Sequence, residues 1–143
     1  MNPSEKGHGV EVKAGKHPVR SYRDLIAWQR AHALSLLVYR HTRDFPAEER
    51  YGLTSQLRRS AVSVGSNIAE GYGRAGRTDY VRFLKVARGS VYELDSQWLL
   101  ARDLGFLDAA CYDEAKSVID ECERVLAGLI RSLQRGAKQP DPR

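Results

Sequence analysis

The stretch TDYVRFLKVARGSVYELDSQWLLARDLG, residues 78–105, decides the fold. Within it Tyr80, Leu84, Ala87, Val91, Leu94, Trp98 and Ala101 recur at alternating steps of four and three. That is the spacing of one helical face, and its seven-residue repeat is the seam along which a helix packs near 20° to its neighbours in a bundle. Thr78 reads as the N-cap and Gly105 as the terminator.

Three more helical patterns flank this one. Toward the N-terminus, Leu53, Leu57, Ala61, Val64 and Ile68 form a stripe on a helix that starts after Pro46. Glu48 and Glu49 suit the positive end of its dipole, and Gly71 and Gly73 mark its end. Earlier still, a helix from Tyr22–Asp24 to about Arg43 sets Leu25, Trp28, His32, Ser35, Leu36 and Tyr39 near one another, and Asp44-Phe45-Pro46 stops it. On the C-terminal side, Asp108 reads as an N-cap for a helix carrying Ala115, Val118, Ile119, Cys122, Val125, Leu126, Leu129 and Leu133. With no alternating strand pattern between these segments, the sequence predicts an all-α, up-and-down four-helix bundle over residues 21–135. Residues 1–20 and 136–143 read as flexible tails, rich in glycine, proline and charge without apolar periodicity.

A chain of 143 residues buries enough surface for one core without metals or disulfides. No apolar run approaches the roughly eighteen residues of a membrane span, and Met1–Arg20 lacks the apolar core of a secretory signal, so no membrane association is expected and the location reads as cytoplasmic. Cys111 and Cys122 share a helical face roughly 16 Å apart, too far to pair within one helix. His8, His17, His32 and His41 have no ligand spacing, with His32 read as packing and His41 as surface. Neither metal nor cofactor is expected.

The net charge of +5 is unevenly spread. Tyr22–Ala47 and Glu48–Arg77 each carry +2, Thr78–Leu104 is neutral, and Gly105–Arg135 carries −2. This polarity suits contact with RNA or contact between subunits.

Gly71-Tyr72-Gly73-Arg74-Ala75-Gly76-Arg77-Thr78 matches both the dinucleotide fingerprint and a P-loop with arginine in place of lysine. Both motifs need a preceding β-strand, and a helix precedes this one. Two readings remain: a solvated connection between helices, or an anion site at the start of the third helix. In the second, Arg74 and Arg77 reinforce the site, with Arg59 and Arg82 as outer contacts. Asn67, Glu70, Ser90 and Glu93 lie beside the apolar stripes of the second and third helices. Their carboxylates have no nucleophile, histidine or metal-ligand set to complete an active site. They read as a partly buried network setting helix register, with Gly89 admitting another backbone. Trp28 and Trp98 read as core or subunit interface, with base stacking as the alternative.

The runs Asp24-Leu25-Ile26-Ala27-Trp28-Gln29, Tyr51-Gly52-Leu53-Thr54-Ser55-Gln56-Leu57-Arg58-Arg59-Ser60, Asn67-Ile68-Ala69-Glu70-Gly71 and Ala87-Arg88-Gly89-Ser90 with Glu93 carry a resemblance. Together with Tyr39, Phe45-Pro46 and Phe83-Leu84, they resemble the bacterial four-helix bundle proteins first noted as products of intervening sequences in 23S rRNA genes. The likeness spans roughly Tyr22 to Leu133, and Gly65 stands where the family usually has a proline. The resemblance implies a helical bundle assembling as a homopentamer. It also implies similarity to the accessory variability protein of diversity-generating retroelements, a basic pentamer that binds nucleic acid and a reverse transcriptase. It implies no firm biochemical activity for the intervening-sequence proteins themselves.

The expected function is that of a non-enzymatic homo-oligomer touching RNA or DNA phosphates through Arg50, Arg58, Arg59, Arg74, Arg77 and Arg82. The alternative is a protein-interaction scaffold or accessory subunit without nucleic-acid contact, whose arginines face acidic patches on an unknown protein partner or another subunit.

Overall fold

A computed structural model describes residues 18–138. Four helices account for most of them: α1, Ile26–Thr42; α2, Leu53–Tyr72; α3, Arg77–Asp103; and α4, Ala109–Lys138. No strand occurs among the described residues. Each helix packs against its two chain neighbours, and α4 closes on α1. The short links between α2 and α3 (residues 73–76) and between α3 and α4 (residues 104–108) force antiparallel neighbours, which makes the bundle up-and-down. Of the tails read over residues 1–20 and 136–143, residues 1–17 and 139–143 lie outside the described residues. α4 runs on to Lys138, past the end of its apolar stripe at Leu133.

All seven α3 seam residues, Tyr80 to Ala101, are buried, and so are Leu53, Leu57, Ala61, Val64 and Ile68 of α2. Burying one of the valine, leucine or isoleucine side chains among these stabilises the fold by about 1.5–3 kcal/mol. Trp98 is the largest fully buried side chain, and its indole Nε1 donates to the Tyr112 carbonyl at 3.1 Å, so its one polar atom is satisfied.

α1 turns a different face inward from the one its sequence suggests. Ala27, Ala31, Leu34 and Val38 are in the core, one residue ahead of Trp28, His32, Ser35 and Tyr39. Leu36 and Tyr39 are exposed. The helix also begins later. Tyr22–Asp24 is a separate 3₁₀ turn, capped by Ser21 Oγ on the Arg23 amide and by Asp24 on the Ser21 amide, and Leu25 is extended and wholly buried between turn and helix. The two helical histidines exchange roles: His32 is exposed, whereas His41 is largely covered and bonded to Glu114 at 2.8 Å.

Helix ends follow backbone needs. Gly105, at φ +82°, lets the Phe106 amide reach the Ala101 carbonyl and its own amide reach Arg102, a Schellman closure of α3. Asp108 Oδ1 accepts from the Cys111 amide at 2.8 Å, as an N-cap of α4 should. Thr78 is not the cap of α3, because the helix already includes Arg77 and is preceded by Gly76 in extended conformation. Gly71 lies in the last turn of α2 and acts as a packing residue. A Cβ there would meet Phe83 Cβ at 2.7 Å and the Tyr80 carbonyl at 3.3 Å. Gly89, by contrast, faces open space, and α2 continues unbroken through Gly65.

Because both close atoms at Gly71 belong to the backbone or sit next to it on α3, Gly71→Ala should overpack the crossing. The expected cost is about 2 kcal/mol, despite the better helix propensity of alanine. The urea midpoint checks it.

Candidate nucleic-acid interface

The six arginines expected on a single basic surface fall into two groups. Arg50, Arg58 and Arg59 line one open groove of about 550 Å³ between the C-terminal end of α1 and the start of α2, together with Tyr39 and Tyr51. Arg58 is the fixed member. Its Nε donates to Thr42 Oγ1 at 2.9 Å, Thr42 in turn donates to the Val38 carbonyl at 2.8 Å, and the guanidinium covers the Tyr39 ring at 4.5 Å. Arg50 and Arg59 are exposed, Arg50 lies 5.7 Å from the Tyr51 ring, and Tyr51 is the most exposed large hydrophobic side chain among the described residues, at 89%. No Asp or Glu lines this groove, and none of these three arginines makes an ion pair with a described residue.

Arg74, Arg77 and Arg82 lie at the opposite end of the bundle, by the α2–α3 link. Arg74 and Arg82 both lie over Phe83, at 4.8 and 4.6 Å, and each pairs with a carboxylate close by in sequence, Glu70 at 2.9 Å and Asp79 at 3.4 Å. Arg77 sits against the last turns of α4, where a Cβ on Gly136 would meet its Nη1 at 2.6 Å. That end of a helix dipole is negative, so Arg77 already has a favourable partner. A second groove of about 620 Å³ here has Val81, Val86 and Leu133 in its lining beside Arg77, Arg82 and Lys85. The glycine-rich stretch is therefore the end of α2, a four-residue link and the start of α3.

Ser90 and Glu93 enter a ladder between α2 and α3, in company the sequence reading did not name. Ser60 donates to Glu93 at 2.7 Å and lies 2.9 Å from Gln97, Ser63 pairs with Ser90 at 2.9 Å, and Asn67 donates back to Ser63 at 2.8 and 3.0 Å. Glu70 stays outside it, on Arg74. The missed signal was periodic: Ser60, Ser63 and Asn67 repeat at the same three- and four-residue steps as Ser90, Glu93 and Gln97. Most carboxylates of α4 are used within the chain. Glu114 takes His41, Glu121 takes Arg30 at 2.6 Å, Glu123 accepts from Tyr92 at 3.0 Å, and Asp120 shares Lys116 with Asp95, both at 2.9 Å. Hydrogen bonds from Lys116 to Asp120 and then Asp95 hold the ammonium well above its ordinary pKa. Among the described residues no group of His, Cys, Asp and Glu is arranged to hold a metal ion, and burial pushes the Cys122 thiol up to about 12.

The family model described as 23S rRNA-intervening sequence protein matches residues 23–128, which include all six arginines and the whole α2–α3 ladder. A crystal structure of a protein with unknown function from the S23 ribosomal protein family of Bacteroides thetaiotaomicron VPI-5482 is similar, with a TM-score of 0.67 and 18% identity over 73% of this chain and 98% of that one. At that identity the likeness speaks for the fold. No curated protein matches the chain.

Arg58 and Arg59 are adjacent but differently held, and their alanine variants should separate. Arg58→Ala gives up the Thr42 bond and the Tyr39 contact and should lose about 1 kcal/mol in urea unfolding. Arg59→Ala should leave stability within about 0.5 kcal/mol of the parent.

Proposed function

The chain belongs to the 23S rRNA-intervening sequence protein family, and on that premise we propose that it is a non-enzymatic, homo-oligomeric binding protein that holds RNA or other nucleic acid in the α1–α2 groove. One observation carries this reading: Arg50, Arg58 and Arg59 converge on a groove with two tyrosines and no carboxylate. Positive charge uncompensated within the fold favours an anion from outside, and guanidinium forks match phosphate oxygens in pairs. The acidic α4 of a second copy is a weaker candidate for that anion, since most of its carboxylates already have partners in their own chain. Of the six arginines, Arg74, Arg77 and Arg82 are the poorer contacts for the same reason.

Assembly is supported by apolar side chains that a lone bundle leaves in water. Leu100 and Leu104 are half exposed and one helical turn apart near the end of α3, next to Leu99. The same residues favour the second reading, a protein-interaction scaffold or accessory subunit, in which they receive a different protein.

Binding through phosphates should weaken steeply with salt, the logarithm of affinity falling by about 0.7 to 0.9 per contacted phosphate for each tenfold rise in concentration. Fluorescence anisotropy with a structured rRNA fragment should show this. Arg50→Glu with Arg59→Glu should cut affinity at least about tenfold and flatten the salt slope by about 2, while light scattering returns the parent mass. Unchanged affinity would remove the groove from the account. A particle reduced to single chains would make these arginines subunit contacts and favour the scaffold.

A further inference from the structure

The groove continues beyond the arginines. Toward the N-terminal end of α1 a second depression, of about 410 Å³, lies between Trp28, His32 and Ser35 on one side and Val62, Gly65 and Ala69 on the other. Val62 lines both depressions, so the two form one track along the α1–α2 boundary. On α1 its wall is Trp28, His32, Ser35 and Tyr39, at steps of four, three and four, hence a single face. From Trp28 to Tyr39 that face rises roughly 16 Å. The α2 side is built of small residues here; Trp28 is half-buried, packed against the core with the Tyr22 ring edge-on at 5.1 Å, and His32 and Tyr39 are left exposed.

The rings are already arranged for stacking. Trp28 and His32 lie face to face, 4.8 Å between centroids and 16° from parallel, and the His32 side is exposed to solvent. Two turns further on, exposed Tyr39 carries the Arg58 guanidinium over its ring. No acidic residue lines either depression. A duplex presents phosphates to such a track but keeps the faces of its bases inside. An unpaired strand presents both, and aromatic platforms beside a basic groove bind it with little regard to sequence.

We infer that the α1–α2 track takes a single-stranded nucleic acid, with phosphates on Arg50, Arg58 and Arg59 and bases stacked on His32 and Tyr39. This rests on the nucleic-acid reading above and narrows it from nucleic acid in general to unpaired strands.

Tryptophan emission tests it on the whole chain, because Trp98 is fully buried and any change on binding reports Trp28. The probes are a single-stranded RNA of about 12 nucleotides and the same sequence annealed to its complement. The single strand is expected to quench emission and to bind more tightly than the duplex. His32→Ala, a change on the surface, should weaken single-strand binding about tenfold and leave duplex binding alone. Tyr39→Ala should act in the same direction. Equal binding of both probes with no effect of His32→Ala would overturn the single-strand inference while leaving the basic groove in place. Binding of neither probe at low salt would overturn both. A His32→Ala variant that changes particle mass and not RNA affinity would show the track covered by another copy of the chain, which also overturns it.

Discussion

The antiparallel contact between α2 and α3 is the constraint on which the rest of the structure depends. Apolar stripes press together along it, and beside them the ladder of Ser60 and Ser63 against Ser90, Glu93 and Gln97, with Asn67 bracing Ser63 from within α2, favours one register. A slide of one turn would leave partly buried hydroxyl and amide groups without partners, at about 1–3 kcal/mol each. Gly71 closes the contact at the linked end, where the two backbones come too near for a side chain. With that register set, α2 has its apolar stripe in the core and its polar stripe on α3. The remaining side, Arg58, Val62, Gly65 and Ala69, meets α1 and forms the groove.

What the sequence disclosed, and what it hid, follows from this division of labour. The core seam of α3 was legible to the residue because it is apolar at every heptad step, and so was the core stripe of α2. α1 was misread by one position, since it has two faces with the same period. The inner face is built mainly of Ala27, Ala31, Leu34 and Val38, and the outer face holds the larger Trp28, His32 and Tyr39. Size drew attention to the wrong face, although small residues are what a close helix contact prefers. Thr78 looked a better cap than Gly76 on side-chain chemistry alone, but the short link starts the helix earlier. The arginines were recognisable by type. Their separation into an unpaired group and a paired group was not, because the residues that pair them are set by helix position and by where α4 ends.

Charge explains why one group of arginines is the better candidate for a ligand. At the α2–α3 link each guanidinium is held by a nearby carboxylate or by the end of α4, so an incoming phosphate would have to displace an existing partner. At the α1–α2 groove only Arg58 is tied down, and its partners are a neutral hydroxyl and a ring, which place the cation without neutralising it. Arg50 and Arg59 remain hydrated and cost little to redirect. The glycine-rich stretch that imitates a nucleotide-binding loop joins the paired cluster and leads out of a helix, so it lacks the geometry that gives such loops their affinity.

Ultraviolet cross-linking of the intact protein to single-stranded RNA, followed by mass spectrometry of the attached peptides, tests the central claim most directly because it reads position whatever the assembly size. The account predicts adducts on Trp28, His32, Tyr39 or Tyr51, the aromatic residues of the α1–α2 track. Adducts confined to residues 77–86 and the end of α4, or none above background at low salt, would contradict it.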